Sequence, residues 1–268
     1  MSTVADEVSR LNWYHSIELP GGVVTPGMFD TRAAAQKVPV PASLAGKRCL
    51  DVGTADGFWA FEMERRGAAE VVAIDLTDPS KRDVTRGARM RDALPEGEAS
   101  RQSQTFALAH RLLGSRVEWR HLSAYDLSPD EVGTFDFVFM GSLLVHLRDP
   151  VLALAAVRSV TTGQLLSYDA VSPLLTLMHP RTPAAKLRGV TRAEWWLPNV
   201  ACLRRIVEAA GFDVVRAGGI SFVGRRGARA SLRQLLRHPF ANGLLMTAGV
   251  PHAWVLSRPG KPHGVDRL

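Results

Sequence analysis

Apolar and polar residues alternate along the chain in blocks that predict strands and helices in turn. The first clear unit spans 47–75, where an apolar run is followed by a glycine-containing loop, a helical stretch that ends at Gly67, and a second apolar run. Helical periodicity recurs over 104–113, after Asp149-Pro150, and over 200–207. Short apolar runs that fit buried strands lie at 49–52, 71–74, 117–122, 135–140, 163–168, 212–215 and 253–256.

These runs, separated by helical stretches, predict an α/β fold: a Rossmann-like, seven-stranded mixed sheet with helices on both faces. Residues 1–46 precede the pattern, and we expect them to form an N-terminal lid segment. Residues 47–268 would form one cofactor-binding domain, with cap insertions at 170–198 and 225–250 that are too long for plain connections. For the N-terminal segment, packing of its aromatic residues on the core is an alternative.

Composition narrows the class of protein. A chain of 268 residues can bury a full core, and no apolar run approaches the roughly 20 residues of a membrane span. The start of the chain has neither a basic segment nor an apolar core, so we expect no secretory signal. Two cysteines, both inside predicted elements, favour a reduced compartment, and we expect a cytoplasmic protein.

The chain has a formal net charge of +7, and much of the excess positive charge lies late in the sequence. Arg226, Arg229, Arg233 and Arg237 recur at helical spacing within the second insertion. Such a helix could contact phosphates, but a solvated face on an amphipathic cover helix is the more ordinary interpretation. The polar stretch 77–103 predicts a loop with a helical turn or two. The sequence shows no metal-ligand cluster and no nucleophile triad, and it leaves a homo-oligomer open.

The loop of the first unit carries the most specific chemistry. It reads Gly53-x-Ala55-x-Gly57 rather than the dinucleotide pattern, its glycines allow close approach of a ligand, and Asp51 lies inside the strand before it. An acid at a strand end suits an ammonium group, and Asp75 is placed to accept two ribose hydroxyls. S-adenosyl-L-methionine (SAM) has both groups. The candidate cofactor residues here are Asp51, Gly53, Thr54, Ala55, Gly57, Asp75 and Leu76.

Two later strand ends add candidates. Tyr125 and Asp126 follow the third strand, where an acid can bind the adenine amino group and its neighbour can flank the ring; an Asx turn is the alternative. Gly141 and His146 follow the fourth strand, at the sheet edge where α/β proteins place their chemistry. A neutral imidazole can take the proton of an acceptor hydroxyl, so His146 is the candidate general base, although a structural role is equally open.

Aromatic residues on both sides of the domain are candidates for ligand contacts. Trp13 would contribute to the cofactor site, and Tyr14 and His15 to the acceptor site. Trp195 and Trp196, in the first insertion, are further candidates for lining an acceptor pocket. Core packing is the alternative for these three tryptophans.

From Ser43 to about Pro259 the chain resembles the class I SAM-dependent methyltransferases. Within that class it is similar to the branch that contains the tRNA wobble-uridine carboxymethyltransferases. The similar segments are Leu44-Ala45-Gly46-Lys47 before Leu50-Asp51-Val52-Gly53, Phe61-Glu62-Met63 with Gly67-Ala68, Gly141-Ser142-Leu143-Leu144-Val145-His146, and Trp196-Leu197-Pro198-Asn199 before Ala210-Gly211-Phe212.

This resemblance also shows where the chain departs from the branch. The wobble enzymes read a carboxylated SAM with a lysine, a tyrosine and an arginine, and the matching positions here are His15, Val145 and His252. Because a carboxylate in a closed pocket without a cation is costly, we expect plain SAM and methyl transfer. His252 is therefore a further candidate on the acceptor side.

Three functions follow, in order of preference. The first is O-methylation of a hydroxyl on a small molecule, such as a sugar or secondary metabolite, with His146 as base. The second is a tRNA-modifying methyltransferase, implied by the resemblance and by the arginine-rich segment. The third is SAM binding without catalysis, motivated by Ala55 in place of a middle glycine. No membrane partner is expected.

Overall fold

The computed structural model describes residues 3–76, 78, 81–83, 85, 98–190, 194–225 and 249–261. Two stretches of the sequence therefore lie mostly outside the described residues. One is the polar stretch 77–103. The other is the insertion 225–250, including its arginine series.

The elements are short and closely spaced. In chain order they are α1 (Val4–Ser9), β1 (Phe29–Asp30), α2 (Arg32–Ala35), β2 (Arg48–Val52), α3 (Phe58–Arg65), β3 (Glu70–Asp75), α4 (Glu98–Leu113), β4 (Glu118–His121), α5 (Pro129–Val132), β5 (Phe135–Gly141), α6 (Pro150–Val160), β6 (Thr161–Ala170), α7 (Pro173–Met178), β7 (Ala185–Leu187), β8 (Trp196–Pro198), α8 (Val200–Ala209), β9 (Phe212–Ala217), β10 (Ser221–Arg225) and β11 (Val250–Pro259). Single 3₁₀ turns occur at Pro20–Gly22, Ala124–Asp126 and Leu144–His146.

The main sheet of the described residues has nine strands, in the order β1-β10-β11-β6-β5-β2-β3-β4, with β9 also paired to β11. Strands β2 to β6 run parallel. Strand β11 is antiparallel to β6, and it pairs with β10 along its first residues and with β9 along its last. The carboxyl ends of the parallel strands meet at one edge, where open α/β sheets bind their ligands.

The predicted α/β fold with a mixed sheet is confirmed, and all seven predicted strands are present. Strands β10 and β1 extend the sheet further; β1 is two residues long and β10 has no continuous apolar run, so periodicity did not reveal them. Strands β7 and β8 form a separate hairpin inside the first insertion. Helix α4 begins at Glu98 rather than Gln104, so the end of the polar stretch is helical.

Alternation along β5 divides the core between two faces of the sheet. Phe137 and Phe139 pack on one face with α3 and α4, while Val138 and Met140 pack on the other with α6 and α8. Successive side chains of a strand point to opposite faces, so a strand that is apolar throughout must be covered on both. This double cover holds the central strand ends rigidly at the ligand edge.

The N-terminal segment packs on the α3 side of this core. Trp13, Ile17 and Leu19 are buried there, and β1 joins the sheet through β10. No helix within the described part of the chain is both long and apolar enough to cross a membrane.

Candidate active site

The loop between β2 and α3 lies at the centre of the ligand edge. The N–H groups of Gly53 and Thr54 both donate to the carbonyl of Ile74 in β3, at 2.9 and 3.1 Å. The buried hydroxyl of Thr54 donates to Asp51 Oδ2 at 2.7 Å. The loop is therefore fixed to both strands that flank it.

The carboxylate of Asp51 is directed towards the first turn of α3. It is 1 % exposed, and its Oδ2 also accepts a hydrogen bond from the N–H of Ala60 at 3.1 Å. Burial raises the pKa of Asp51 to about 7, because the hydrogen bonds from Thr54 and Ala60 offset the lost hydration only in part. The sequence assigned this carboxylate to the ammonium group of a ligand; the structure places it behind the loop, where it holds the loop in position.

Asp75 lies in front of the loop, at the end of β3. Its Oδ2 accepts from the N–H of Ala55 and its Oδ1 from the N–H of Leu76, both at 2.7 Å. Ala55 has φ +48°, a left-handed conformation that costs a non-glycine residue about 1 kcal/mol or more. The side chain of Asp75 thus stabilises the unusual backbone of the loop while remaining partly exposed. Burial raises its pKa, although its hydrogen bonds act in the opposite direction.

The two glycines of the loop serve different contacts. A Cβ at Gly53 (φ +78°) would lie 2.9 Å from Leu143 Cδ2, so this glycine lets the loop after β5 approach. A Cβ at Gly57 (φ +92°) would lie 2.5 Å from the ring of Phe61 and 2.8 Å from that of Phe106. The space on the side of Gly57 where a Cβ would lie is thus filled by these core rings, so a residue without a side chain is required there.

Asp56, which sequence reasoning did not select, joins the N-terminal segment to this loop. Its Oδ2 accepts from the N–H groups of Tyr14 and His15 at 2.5 and 2.8 Å, and its Oδ1 accepts from the hydroxyl of Thr105 at 2.6 Å. The side chain is 1 % exposed. Its position inside the glycine loop, between Ala55 and Gly57, could have marked it as a site residue. No local pattern, however, could show its contacts with residues so distant in the sequence.

Trp13 lies deeper than its neighbours. Its ring is buried in the core, 4 % exposed, and its indole N–H donates to the carbonyl of Val8 at 2.9 Å. The packing alternative named for this residue is the one that the structure shows. Tyr14, by contrast, is partly exposed and its ring contacts the rings of His15 and Phe29.

The candidate base follows β5 in a strained loop. After Gly141, Ser142 adopts φ +53°, and the turn Leu144–His146 follows. Asp169, at the end of β6, fixes this turn, because its Oδ2 accepts from the N–H groups of Leu143 and Leu144 at 3.0 and 2.6 Å. Asp169 is fully buried, and burial raises its pKa to about 6. It is a second acid at a strand end, which sequence reasoning did not select.

His146 itself is partly exposed at the end of this turn, and its backbone N–H donates to the carbonyl of Leu143 at 2.9 Å. The turn follows the carboxyl end of β5, and β5 pairs with β2, the strand that leads into the cofactor loop. The turn that holds His146 and the cofactor loop therefore follow neighbouring strand ends at the same edge of the sheet.

Tyr125 and Asp126 lie in the 3₁₀ turn after β4. The hydroxyl of Tyr125 donates to Asp83 Oδ2 at 2.5 Å and accepts from the N–H of Asp149 at 3.1 Å. Burial raises the pKa of Tyr125, so it stays a neutral phenol. Asp126 is exposed beside it.

The hairpin of β7 and β8 lies against the loop of the candidate base. The backbone N–H of Trp195 donates to the carbonyl of Val145 at 2.7 Å, and its indole N–H donates to the carbonyl of Asp83 at 2.6 Å. The indole N–H of Trp196 donates to the carbonyl of Arg148 at 3.1 Å. Both tryptophans are partly exposed, and their hydrogen bonds reach Val145 and Arg148, which flank His146 in the sequence.

The two histidines that the sequence offered as acceptor candidates are buried and neutral. His15 is 6 % exposed, and burial lowers its pKa to about 3. His252 is 3 % exposed, and burial lowers its pKa to about 4. Val145, the third position at which the chain departs from the wobble enzymes, is buried and apolar. At neutral pH none of these three positions carries a positive charge.

This arrangement fits a nucleoside cofactor of the SAM type. The carboxylate of Asp75 keeps lone pairs for ribose hydroxyls after it has bound Ala55 and Leu76, since two oxygens offer about four acceptor sites. The glycine loop precedes the N-terminus of α3, which begins at Phe58 after Gly57, a residue with no side chain to cap the helix. The carboxylate of Asp75 can accept from a ribose, and the backbone N–H groups of the loop and of the start of α3 can donate to an amino-acid group.

Comparison with known proteins gives a consistent result. Residues 29–217, more than half of the chain, match the family model described as "Methyltransferase domain". The tRNA U34 carboxymethyltransferase of Ectopseudomonas mendocina is 29% identical over 190 residues, which are 69% of this chain and 51% of that protein. The chain thus spans about half the length of the curated relatives it matches.

Solved structures share the fold at low sequence identity. The N-terminal domain of EvdMO1, determined with S-adenosylhomocysteine (SAH) and D-fucose, has a TM-score of 0.54 and 17% identity, covering 95% of this chain and 94% of that one. The 1,6-didemethyltoxoflavin-N1-methyltransferase of Burkholderia thailandensis has a TM-score of 0.50 and 16% identity, covering 87% and 83%. The chain belongs to the methyltransferase-domain family, in its SAM-dependent class I, and resembles the branch of the tRNA U34 carboxymethyltransferases.

Proposed function

We propose that the chain transfers a methyl group from SAM to a hydroxyl group of a small molecule, with His146 as the general base. The observation that carries the choice of plain SAM is the pair of buried, neutral imidazoles of His15 and His252. They occupy the two positions that match the lysine and the arginine of the resembling branch, and the position that matches its tyrosine holds the buried apolar Val145. A carboxylate placed beside these three side chains would lose its hydration without gaining an ion pair.

Different residues bind the cofactor and take the proton. Asp75 accepts the ribose hydroxyls, and the loop at Gly53 to Gly57 receives the amino-acid group. Asp126 accepts from the adenine amino group, and Tyr125 flanks the ring. SAM, when bound, supplies a methyl group activated by its sulfonium sulfur. His146 takes the proton of the acceptor hydroxyl as the oxygen–methyl bond forms, and its turn is held by Asp169.

A small acceptor is supported by what surrounds the base. The hairpin of β7 and β8 lies across the loop at Val145 and Arg148, so residues 170–198 act as a cap. Residues 1–46 act as the opposite cover, because Asp56 fastens Tyr14 and His15 to the cofactor loop. The structure of the N-terminal domain of EvdMO1 was determined in the presence of SAH and a sugar, D-fucose, and a hydroxylated ring of that size suits such a capped site.

Replacement of the base tests this function. We expect His146→Ala to bind SAM with unchanged affinity in calorimetry and to lose about 10²- to 10⁴-fold in methyl transfer to a panel of hydroxylated acceptors. His110→Ala, which changes a histidine on α4, serves as the matched control and should keep its turnover. Full activity of His146→Ala would remove this residue from the mechanism.

A second candidate function is modification of tRNA, which the curated relatives favour because they are tRNA U34 carboxymethyltransferases. It predicts affinity for tRNA that falls steeply with salt, as phosphate contacts release counterions. Gel-shift measurements at increasing salt distinguish the two. Tight, salt-sensitive binding would favour tRNA over a small acceptor.

A further inference from the structure

Arg82 and Asp83 form a short connection between the cofactor side of the site and the turn that holds His146. The guanidinium of Arg82 donates through Nε and Nη2 to the carbonyl of Leu76, at 3.1 and 2.6 Å. Leu76 directly follows Asp75, the acid at the end of β3. Asp83 is therefore attached through its neighbour to the strand end that carries the ribose acid.

The carboxylate of Asp83 and the hydroxyl of Tyr125 act as a pair on the backbone after His146. Asp83 Oδ2 accepts from the Tyr125 hydroxyl at 2.5 Å and from the N–H of Arg148 at 2.8 Å. The oxygen of Tyr125 accepts in turn from the N–H of Asp149 at 3.1 Å. Two consecutive N–H groups, two and three residues beyond His146, thus depend on one carboxylate and one phenol.

The backbone of Asp83 also holds the cap. Its carbonyl accepts from the indole N–H of Trp195 at 2.6 Å, and the backbone N–H of Trp195 donates to the carbonyl of Val145 at 2.7 Å. Asp169 holds the start of the turn from the side of β6. His146 therefore lies in a segment that is fixed before it by Asp169 and Trp195 and after it by Asp83.

We propose that Asp83 is a positioning residue, through which occupation of the adenine side of the cofactor site orders the turn of His146 and the hairpin of β7 and β8. A tyrosine ring that is held against an adenine also has its hydroxyl held in one place, and that hydroxyl fixes Asp83 and the N–H of Asp149. The base would then be ordered when the methyl donor is present, which the geometry of transfer requires. The inference rests on the proposed function for the place of the adenine and for the base.

Hydrogen-exchange mass spectrometry with SAH as the probe tests this coupling without an acceptor. In the parent protein, saturating SAH should slow amide exchange about threefold or more in peptides that cover 143–149 and 185–198. Asp83→Ala removes both contacts of the carboxylate, so this slowing should disappear, while calorimetry should show SAH binding within about tenfold of the parent. Asp83→Asn keeps an oxygen that can accept from Tyr125 and Arg148, and it should restore the slowing.

Two further variants separate the coupling from general loosening of the fold. Tyr125→Phe keeps the ring that flanks the adenine and removes the hydroxyl, so it should bind SAH and lose the slowing at 143–149. Asp130→Ala, at an exposed carboxylate on α5, is the matched control and should behave as the parent does. Thermal unfolding checks each variant, and if Asp83→Ala does not fold, Tyr125→Phe carries the test.

The outcomes distinguish this inference from the proposed function. Binding of SAH to the parent without slower exchange at 143–149 would overturn the inference and leave the SAM site intact. Slowing that persists in Asp83→Ala and Tyr125→Phe would overturn it as well, because the coupling would then bypass the pair. Failure of the parent to bind either SAM or SAH would instead overturn the SAM part of the proposed function.

Discussion

Replacement of Asp51 by asparagine should stabilise the protein at neutral and alkaline pH. Both hydrogen bonds to this side chain, from Thr54 and Ala60, reach the same oxygen, so an asparagine carbonyl can keep them both. What disappears is a buried charge that the fold must carry above the pKa of the group. Asp51→Asn therefore separates the cost of the charge from the benefit of the hydrogen bonds.

The magnitude follows from the pKa of about 7, against an ordinary value of 3.8. That difference corresponds to about 4 kcal/mol at pH well above 7, as an upper limit to order of magnitude. Because the folded-state pKa is raised, protonation of Asp51 favours the folded state. This contribution is complete below about pH 4 and is lost as pH rises through about 7.

Urea unfolding of both proteins from pH 4 to pH 8.5 measures the effect. The free energy of unfolding of Asp51→Asn minus that of the parent should be near zero at pH 4 and rise to about 2–4 kcal/mol at pH 8.5. Asp130→Asn, at an exposed carboxylate, is the control and should show no such rise. A variant destabilised equally at both pH values would refute the reasoning. SAM affinity should change less than about threefold, since the carboxylate lies behind the loop; a loss beyond tenfold would mean direct contact with the ligand.

Other substitutions test single contacts. Gly57→Ala should cost about 2–4 kcal/mol in urea unfolding, because its methyl group meets the rings of Phe61 and Phe106 at a left-handed φ; an unchanged midpoint would contradict that packing. Asp169→Ala should lower kcat more than tenfold with little change in the dissociation constant of SAM, because it releases the turn that carries His146, the proposed base; equal losses in both would point to general unfolding. Trp195→Phe should raise the KM of the acceptor about three- to tenfold, since the indole contact with Asp83 is lost, and an unchanged KM would exclude the hairpin from the acceptor site.

Periodicity predicted the sheet well because each central strand is covered on both faces. Strand β5 reads as a continuous apolar run for that reason, and Gly141 and His146 lie at and after its carboxyl end, as the run predicts. The glycine loop and Asp75 were recognisable because each directly follows an apolar run in the sequence. In the structure the two are in contact, since the N–H of Ala55 donates to Asp75.

What the sequence could not supply are contacts between distant segments. Asp56 binds Tyr14 and His15, and Asp83 joins Tyr125 to the hairpin, although the glycine-loop pattern assigns no role to Asp56 and Asp83 belongs to no recognisable motif. The direction of the Asp51 side chain could not be predicted from the sequence either, because an acid inside a strand can face a ligand or the first turn of the next helix. Those choices depend on packing, and periodicity describes only the face on which a residue lies.

The proposal that this methyltransferase domain takes plain SAM depends on the buried neutral side chains that replace the cations a carboxylated donor needs. Parallel calorimetric titrations with SAM and with its carboxylated analogue test it most directly. Neutral His15 and His252 and apolar Val145 predict that SAM binds about tenfold or more tightly than the analogue. Tighter binding of the carboxylated analogue would contradict the proposal.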